Sequence, residues 1–213
     1  MTTRPAKRLS AAERRDQIER SATELFASRG YAATTVDEIT RAAGVTKPML
    51  YRHFESKQEL CIRLLERYRD ELVSAPLARF DPDAVDRREH HTAMIGAWLD
   101  HARSNPAATR LLFTPITGDS EVGEAQRDLY ERQRATQAAL LREFAPALED
   151  EEIEPMAEMT RASLAALGLW WLDHADVDRE RLVAVLLRMF EALIGSPADV
   201  RASARAKAKG GDR

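Results

Sequence analysis

The sequence has one cysteine, no long apolar segment and no stretch that alternates between apolar and polar residues. Its single cysteine, Cys61, excludes an internal disulfide and fits a reducing compartment. No apolar run approaches the roughly 18 residues that a membrane span needs. The basic N-terminus has no apolar segment behind it, unlike a secretory signal. We therefore expect a cytoplasmic protein that does not enter a membrane.

The missing alternation argues against β-strands, and apolar residues recur instead at spacings of three and four. We therefore expect an all-α protein. Cys61 lies in one such helical pattern beside leucines, which indicates a small buried core residue rather than a redox sensor. The predicted helices are about 10–28, 36–43, a short one from Thr46, 57–75, 87–104, 107–113, 121–145, 152–174 and 178–194.

Charge is distributed unevenly along the 213 residues. Residues 1–57 hold 11 Lys/Arg and 7 Asp/Glu, a net charge of +4. Residues 58–198 hold 16 and 26, a net charge of −10, and residues 199–213 hold 5 and 2, a net charge of +3. A basic N-terminal part on an acidic body indicates that the N-terminal part alone meets a polyanion.

Three of the first four helix starts carry a serine or threonine followed three residues later by glutamate. This is the capping-box pattern, in which the two side chains satisfy free backbone N–H groups reciprocally. The pairs are Ser10 with Glu13, Thr35 with Glu38, and Ser56 with Glu59. The exception is the short helix that begins near Thr46.

That exception lies in the segment TRAAGVTKPMLYRHFESK, residues 40–57. Two short helices joined at Gly44 have the layout of a helix-turn-helix, whose second helix enters the major groove of DNA. Leu50 and Phe54 can face the core. The outer side of the second helix then carries Thr46, Lys47, Met49, Tyr51, Arg52 and His53.

The start of this second helix carries no acid. Thr46 or Lys47 can be its cap, and Pro48 falls in the first turn, where a missing N–H does no harm. A capping box would place glutamate at position 49, but Met49 stands there. We infer that the acid is missing because this helix start meets DNA phosphates. Short helices broken by glycine and proline also occur in proteins that do not bind DNA.

The segment GYAATTVDEITRAAGVTKPMLYRHFESKQEL, residues 30–60, resembles the DNA-binding domain of the tetracycline-repressor (TetR) family of bacterial regulators. The resemblance extends over roughly 10–70. It departs from the family pattern at Pro48 and Met49, where many members have glycine or alanine and a small polar residue.

The resemblance implies specific roles for residues in this segment. Thr35 corresponds to a cap whose helix start touches phosphate, and Thr46 and Lys47 to phosphate or base contacts. Tyr51 and His53 correspond to residues that grip the DNA backbone, and Lys57 to a phosphate contact. From chemistry, Arg52 is a candidate base reader and Met49 can touch thymine methyl groups. The predicted DNA-binding positions are Thr35, Thr46, Lys47, Pro48, Met49, Tyr51, Arg52, His53 and Lys57.

The last two helices are apolar around most of their circumference, which indicates burial on more than one side. One DNA-binding domain, residues 10–57 and called the head below, contacts only a few base pairs. A two-fold dimer on a palindromic operator is therefore expected. The alternative is that these helices only form the core of a monomer. The predicted dimer residues are Leu164, Leu167, Leu182, Leu186, Phe190 and Leu193.

The resemblance also implies a second domain that binds a small molecule and changes the spacing of two heads. Aromatic residues with few charges nearby suit a pocket for a largely apolar ligand, although each can equally be a core residue. The predicted pocket residues are Trp98, Phe113, Tyr130, Phe144, Trp170 and Trp171. His90, His91 and His101 lack metal-site spacing, so no metal and no cofactor is expected.

We therefore expect four parts: a flexible basic arm (1–9), a helix-turn-helix DNA-binding domain (10–57, continuing into a linking helix, 57–75), a ligand-binding and dimerisation domain (76–195) and a disordered basic tail (196–213). The expected function is that of a ligand-responsive repressor. The alternative is a helical enzyme or a lipid-binding protein. The sequence contains no phosphate loop, nucleophile motif or Cys–His pair that would support it.

Overall fold

A computed structural model of the chain describes residues 10–79, 87–145 and 148–194. Over these ranges the protein consists of nine α-helices and no strand, so the predicted all-α class is confirmed. The helices are α1 (Ala11–Arg29), α2 (Val36–Ala42), α3 (Lys47–Tyr51), α4 (Lys57–Leu77), α5 (Arg87–Ser104), α6 (Pro106–Phe113), α7 (Ser120–Phe144), α8 (Asp150–Asp173) and α9 (Arg179–Ile194). The predicted arm, 1–9, and tail, 196–213, lie outside the described residues.

Complete capping boxes begin α1 and α2. The Ser10 hydroxyl accepts from the N–H of Glu13 at 3.1 Å, and the Glu13 carboxylate accepts from the N–H of Ser10 at 2.6 Å. Thr35 and Glu38 form the same pair in α2. These bonds satisfy backbone N–H groups that a helix start otherwise leaves free.

The start of α4 forms only one of the two hydrogen bonds of the predicted capping box. The Ser56 hydroxyl accepts from the N–H of Glu59 at 3.0 Å, as predicted. The Glu59 carboxylate, however, accepts from the N–H of Glu55 rather than from that of Ser56. The bond can shift by one residue, because the free N–H groups of neighbouring residues before a helix lie within reach of the same long side chain.

The turn between α2 and α3 depends on Gly44, whose φ is +61°. This left-handed conformation is strained for residues that carry a Cβ. Thr46 occupies the N-cap position of α3, but its side chain makes no capping bond. Met49 therefore lies three residues after the cap, at the position that glutamate occupies in α1 and α2.

Replacing Gly44 with alanine is expected to lower the free energy of unfolding by about 1–2 kcal/mol, through backbone strain alone. A Cβ at this position meets no atom within 4 Å, so a steric clash does not contribute. Asparagine tolerates the left-handed conformation better, so Gly44→Asn should cost less. Urea denaturation of both variants tests this order, and equal losses would contradict the backbone explanation.

One continuous core runs from the first three helices into the rest of the chain through α4. In the N-terminal part it contains Ile18, Phe26 and Phe54, and α4 contributes Leu60 and Leu65, all essentially buried. Cys61 is fully buried in this core, as predicted, and burial raises the pKa of its thiol to about 12. A thiol with such a pKa is protonated at neutral pH, which makes it a poor nucleophile.

The end of the fourth helix differs from the prediction. The sequence predicts that this helix ends at residue 75, just before Pro76, but α4 continues to Leu77 and contains the proline. The proline loses only one intrahelical N–H near the end of the helix, where the interruption costs least.

Helices α5, α6 and α7 pack against α4, and α8 and α9 pack against these helices in turn, so that α5 to α9 form the body of the molecule. Arg179 of α9 ties to α5 by donating to both carboxylate oxygens of Asp100, at 2.5 and 2.7 Å. Gly168 of α8 lets the ring of Trp98 approach closely, because a Cβ there would lie 2.4 Å from that ring. None of the helices in the described part of the chain is both long and apolar enough to span a membrane.

Candidate functional site

The outer face of α3 is the first candidate site. Thr46, Lys47 and Pro48 are exposed at its start, and Met49 is half-buried beside them. Leu50 points inward and is fully buried. Tyr51 at the end of the helix keeps 49% of its surface exposed, which is unusual for an aromatic residue. The face therefore presents a hydroxyl, an ammonium group, an apolar side chain and an aromatic ring to the solvent.

Cations surround this face, and they differ in what they already bind. Lys47 forms an ion pair with Asp37 of α2 at 2.9 Å, and the Asp37 carboxylate raises the pKa of the lysine. Arg41 and Arg52 are exposed and form no ion pair with any described residue. Two unpaired arginines at the ends of α2 and α3 suit contacts with phosphate oxygens. Arg41 is not among the DNA-binding residues predicted from the sequence, because it precedes the turn.

The side chain of Lys57 points into the protein, whereas the resemblance implies that it contacts a DNA phosphate. Its ammonium group donates to the carbonyls of Tyr31 and Thr34, at 3.0 and 2.9 Å, and lies 4.1 Å from the Tyr31 ring centroid. These contacts fix the turn between α1 and α2, whose last residue, Thr35, caps α2. A phosphate contact from Lys57 stays a prediction, as does one from the half-buried His53.

Asp119 links the first three helices to the body. Its carboxylate caps α7 by accepting from the N–H groups of Glu121 and Val122, at 3.1 and 3.2 Å. The same group accepts from the Tyr31 hydroxyl at 3.0 Å and from the Gln58 amide at 3.3 Å. The Val122 N–H, aided by Tyr31, holds the pKa of Asp119 below its ordinary value.

Replacing Tyr31 with phenylalanine is expected to destabilise the protein by about 1 kcal/mol, because one hydrogen bond to a carboxylate is lost. Asp119→Ala should be worse, since it also removes the α7 cap. Because its folded-state pKa is lowered, Asp119 stabilises the fold above about pH 4 and loses this effect as the pH falls through the folded-state pKa. Urea denaturation at pH 7 and pH 3 checks both statements. A Tyr31→Phe loss that is as large at pH 3 as at pH 7 would contradict the assignment.

A cavity of about 160 Å³ in the body is the second candidate site. It is lined by residues of α4, α5, α7 and α8, together with Phe113 of α6 and Phe190 of α9. Trp98 and Phe113 face each other there, with ring centroids 6.4 Å apart. Most of the remaining lining is aliphatic, and polar groups come from His91, Gln133, Thr136, Gln137, Thr160 and Arg161. An apolar cavity with a few polar side chains is typical of a small-molecule site.

The predicted pocket residues fall in different places. Trp98 and Phe113 line the cavity, whereas Tyr130, Trp170 and Trp171 are not among its lining residues. The Tyr130 hydroxyl donates to the Leu112 carbonyl at 2.8 Å. Trp171 is buried and donates to the Val177 carbonyl at 2.9 Å, and Trp170 stacks on His174 at the surface. The side chain of Phe144 lies outside the described residues.

The predicted dimer residues also divide. Leu182 and Leu186 are buried inside the chain itself, and Leu167 is half-buried. Leu164 and Phe190 line the cavity. The side chain of Leu193 lies outside the described residues. Among the described side chains of α8 and α9, the large apolar ones that are exposed to the solvent are those of Met159, Trp170 and Val185, which are 47%, 42% and 42% exposed.

Sequence reasoning missed the polar lining of the cavity. Thr160 and Arg161 interrupt an apolar helix, and Gln133 and Gln137 are one helical turn apart on α7. These two patterns in the sequence could have indicated the polar residues of the cavity. Among the residues that the structure describes, no group of three or more His, Cys, Asp or Glu is placed to hold a metal ion.

Comparison with known families matches both parts of the chain. Residues 18–64 match the family described as "Bacterial regulatory proteins, tetR family". Residues 86–193, about half of the chain, match "Tetracyclin repressor-like, C-terminal domain".

Curated relatives are helix-turn-helix transcriptional regulators. The activator FasR of Mycolicibacterium smegmatis is 40% identical over 110 residues, which are 52% of this chain and 50% of FasR. The repressor KstR2 of Mycobacterium tuberculosis is 36% identical over 113 residues, 47% of this chain and 56% of KstR2. The chain thus matches only about half the length of these relatives.

Solved structures share the whole fold. A TetR-like transcriptional regulator from Rhodococcus sp. RHA1 superposes with a TM-score of 0.72 at 23% identity, covering 89% of this chain and 100% of that one. The fatty acid degradation regulator FadR from Bacillus halodurans gives 0.69 at 18% identity, covering 91% and 97%. With α2 and α3 forming the helix-turn-helix, these matches lead to one conclusion: the chain belongs to the TetR family of bacterial regulatory proteins.

Proposed function

We propose that this protein is a ligand-responsive repressor that binds a palindromic operator in duplex DNA as a homodimer. A small, largely apolar molecule in the cavity releases it from the operator. The observation that carries the proposal is the exposed, acid-free face of α3 on a head that is hydrogen-bonded to the cavity-bearing body. The curated relatives include both an activator and a repressor.

Helix α3 is the proposed recognition helix. Its start carries Lys47 and an uncapped turn, both of which favour an approaching phosphate. Met49, Tyr51 and Arg52 then lie along the edge that would face the bases and backbone. Arg41 adds a cation on the neighbouring helix that forms no ion pair with any described residue. Lys47 would exchange Asp37 for phosphate on binding.

The proposed dimer surface is the exposed apolar face of α8 with the neighbouring part of α9. Met159 and Trp170 are eleven residues apart, close to three helical turns, so they share one face of α8. Exposed Ala166 continues that face between them, and Val185 supplies an apolar position on α9. These residues replace buried Leu182 and Leu186 as the proposed contacts. Light scattering that finds only a monomer at micromolar concentration would end this part of the proposal.

Release of DNA is proposed to follow from ligand binding to a conformation whose heads do not fit the operator. Two connections support a route from the cavity to the head. Leu72, Val73 and Pro76 of α4 line the cavity, and the same helix begins at Lys57 inside the head. Phe113 also lines the cavity and ends α6, five residues before the Gly118–Asp119 segment that meets Ala32 and Tyr31.

Selection from random-sequence duplex DNA with the full chain tests DNA recognition directly. We expect enrichment of a palindrome whose binding weakens steeply with salt, because lysine and arginine contacts release counterions. Failure to enrich any sequence at low salt would overturn the proposal. A promoter–reporter assay with the selected site then separates repression from activation.

A further inference from the structure

We infer that the cavity binds compact aromatic carboxylates, with the ring against Trp98 and Phe113 and the acid group beside Arg161 and Thr160. This inference rests on the proposed function, since it names the ligand class of the same cavity. It is carried by three properties of the cavity: the grouping of most polar side chains on α7 and α8, the sign of the charge of the lining, and the size of the enclosed space.

Most of the polar side chains of the cavity come from two neighbouring helices. Helices α7 and α8 contribute Gln133, Thr136, Gln137, Thr160 and Arg161 together with three leucines, whereas α4, α5, α6 and α9 contribute a mainly aliphatic and aromatic surface and His91. The side chains of Gln133, Gln137 and Thr160 form no hydrogen bond with any described residue. The Thr160 hydroxyl is not among the buried side-chain atoms that lack a partner, so it reaches the open space of the cavity and can bond to a ligand there. A ligand with polar atoms on one side can supply these partners.

The charge of the lining disfavours a cationic ligand. Arg161 is the arginine of the lining, and no carboxylate occurs among the described lining residues. Its Nε and Nη2 donate to the carboxylate of Glu158, at 2.8 and 2.5 Å. Its Nη1 donates to no described residue, so one edge of the guanidinium is left for a second acceptor. The guanidinium also lies over the Tyr130 ring, 5.0 Å from its centroid.

The size of the cavity limits the enclosed part of the ligand. A closed apolar cavity of about 150 Å³ accommodates one benzene molecule. The cavity here has about 160 Å³, which is enough for one ring with a short substituent. Trp98 and Phe113 are tilted by 46° and offer aromatic surfaces to such a ring.

Isothermal titration calorimetry with the full chain tests this class. The probes are 4-phenylbutyrate, its primary amide, 4-phenylbutylamine and dodecanoate. We expect the carboxylate to bind about tenfold or more tightly than the amide, through a charge-assisted hydrogen bond, and the amine not to bind. Equal affinity for amine and carboxylate would overturn the charge assignment. Tighter binding of dodecanoate than of phenylbutyrate would overturn the size and ring assignment, and absence of binding by all four probes would overturn the inference as a whole.

Variants locate the acid group. Arg161→Met is expected to weaken phenylbutyrate binding about tenfold or more while changing amide binding less than about threefold. Arg132→Met is the matched control, because Arg132 is exposed on α7 and outside the cavity lining. If Arg161→Met fails to fold, Thr160→Val removes the neighbouring hydroxyl at nearly unchanged volume and should weaken the carboxylate severalfold. Unchanged carboxylate affinity in the folded variant would refute the assignment.

Failure of the inference and failure of the proposed function give different results. Calorimetry needs no DNA, and operator binding needs no ligand. If phenylbutyrate binds as expected but leaves operator affinity unchanged, the ligand class holds and ligand-controlled release fails. If the protein binds its selected operator but prefers the amine or dodecanoate, the regulator proposal holds and the ligand class is wrong.

Discussion

Replacing Met49 with glutamate is expected to weaken operator binding about tenfold for each head, and so about a hundredfold for a dimer, without unfolding the protein. Met49 occupies the position three residues after the N-cap of α3. The corresponding glutamates of α1 and α2 complete capping boxes there. Glutamate at 49 can form the same box with Thr46, whose side chain makes no capping bond now.

The two effects of this substitution have opposite signs. A new capping box should leave the thermal midpoint unchanged or raise it, whereas a carboxylate beside DNA phosphates repels them. Met49→Gln is the matched control, because glutamine also completes a capping box but carries no charge. We expect it to bind the selected operator within a few-fold of the wild type. If Met49→Glu binds as tightly as Met49→Gln, the acid-free start of α3 has no role in DNA binding.

The elements of the head could be predicted from the sequence because their signals are local. Ser10 with Glu13 and Thr35 with Glu38 mark helix starts within three residues, and Gly44 marks a turn by its own conformational freedom. Such signals need no knowledge of the rest of the fold. The predicted helix limits accordingly differ from the observed ones by only one or two residues at most ends.

Contacts between distant residues could not be predicted in this way. Tyr31 and Asp119 meet across 88 positions of the chain, and Lys57 turns toward carbonyls 23 and 26 positions earlier. Apolar periodicity indicates that a face of α9 is buried, but it does not name the helix that covers it. Leu182 and Leu186 were therefore expected at a dimer surface, whereas helices of the same chain already cover them.

Replacing Phe54 with alanine is expected to have the largest effect on stability, a loss of about 3–5 kcal/mol. Phe54 is 1% exposed and belongs to the core that joins the head to α4. The guanidinium of Arg15 lies 5.4 Å from its ring centroid, so a cation–π contact is lost together with the apolar burial. A domain of this size has only about 5–15 kcal/mol of total stability, so such a loss should make the head open much more often than in the wild type.

Tyr51→Ala is the matched control for Phe54→Ala, because it removes an aromatic ring of similar size three residues earlier. Tyr51 is 49% exposed, so its loss should change the free energy of unfolding by less than about 0.5 kcal/mol. Yet Tyr51 lies on the proposed DNA face, so operator binding should fall in both variants for different reasons. Phe54→Ala should fail because α3 is no longer held in place, and Tyr51→Ala because a contact is missing.

Hydrogen exchange separates the two causes. In Phe54→Ala we expect the amides of α2 and α3 to lose protection while those of α8 keep theirs, since the body retains its own packing. In Tyr51→Ala both should stay protected. Because local opening is an equilibrium, the Phe54 variant should regain operator binding when high DNA concentration draws the head into its folded state. Undiminished protection of α3 in Phe54→Ala would contradict the central place of this ring in the head.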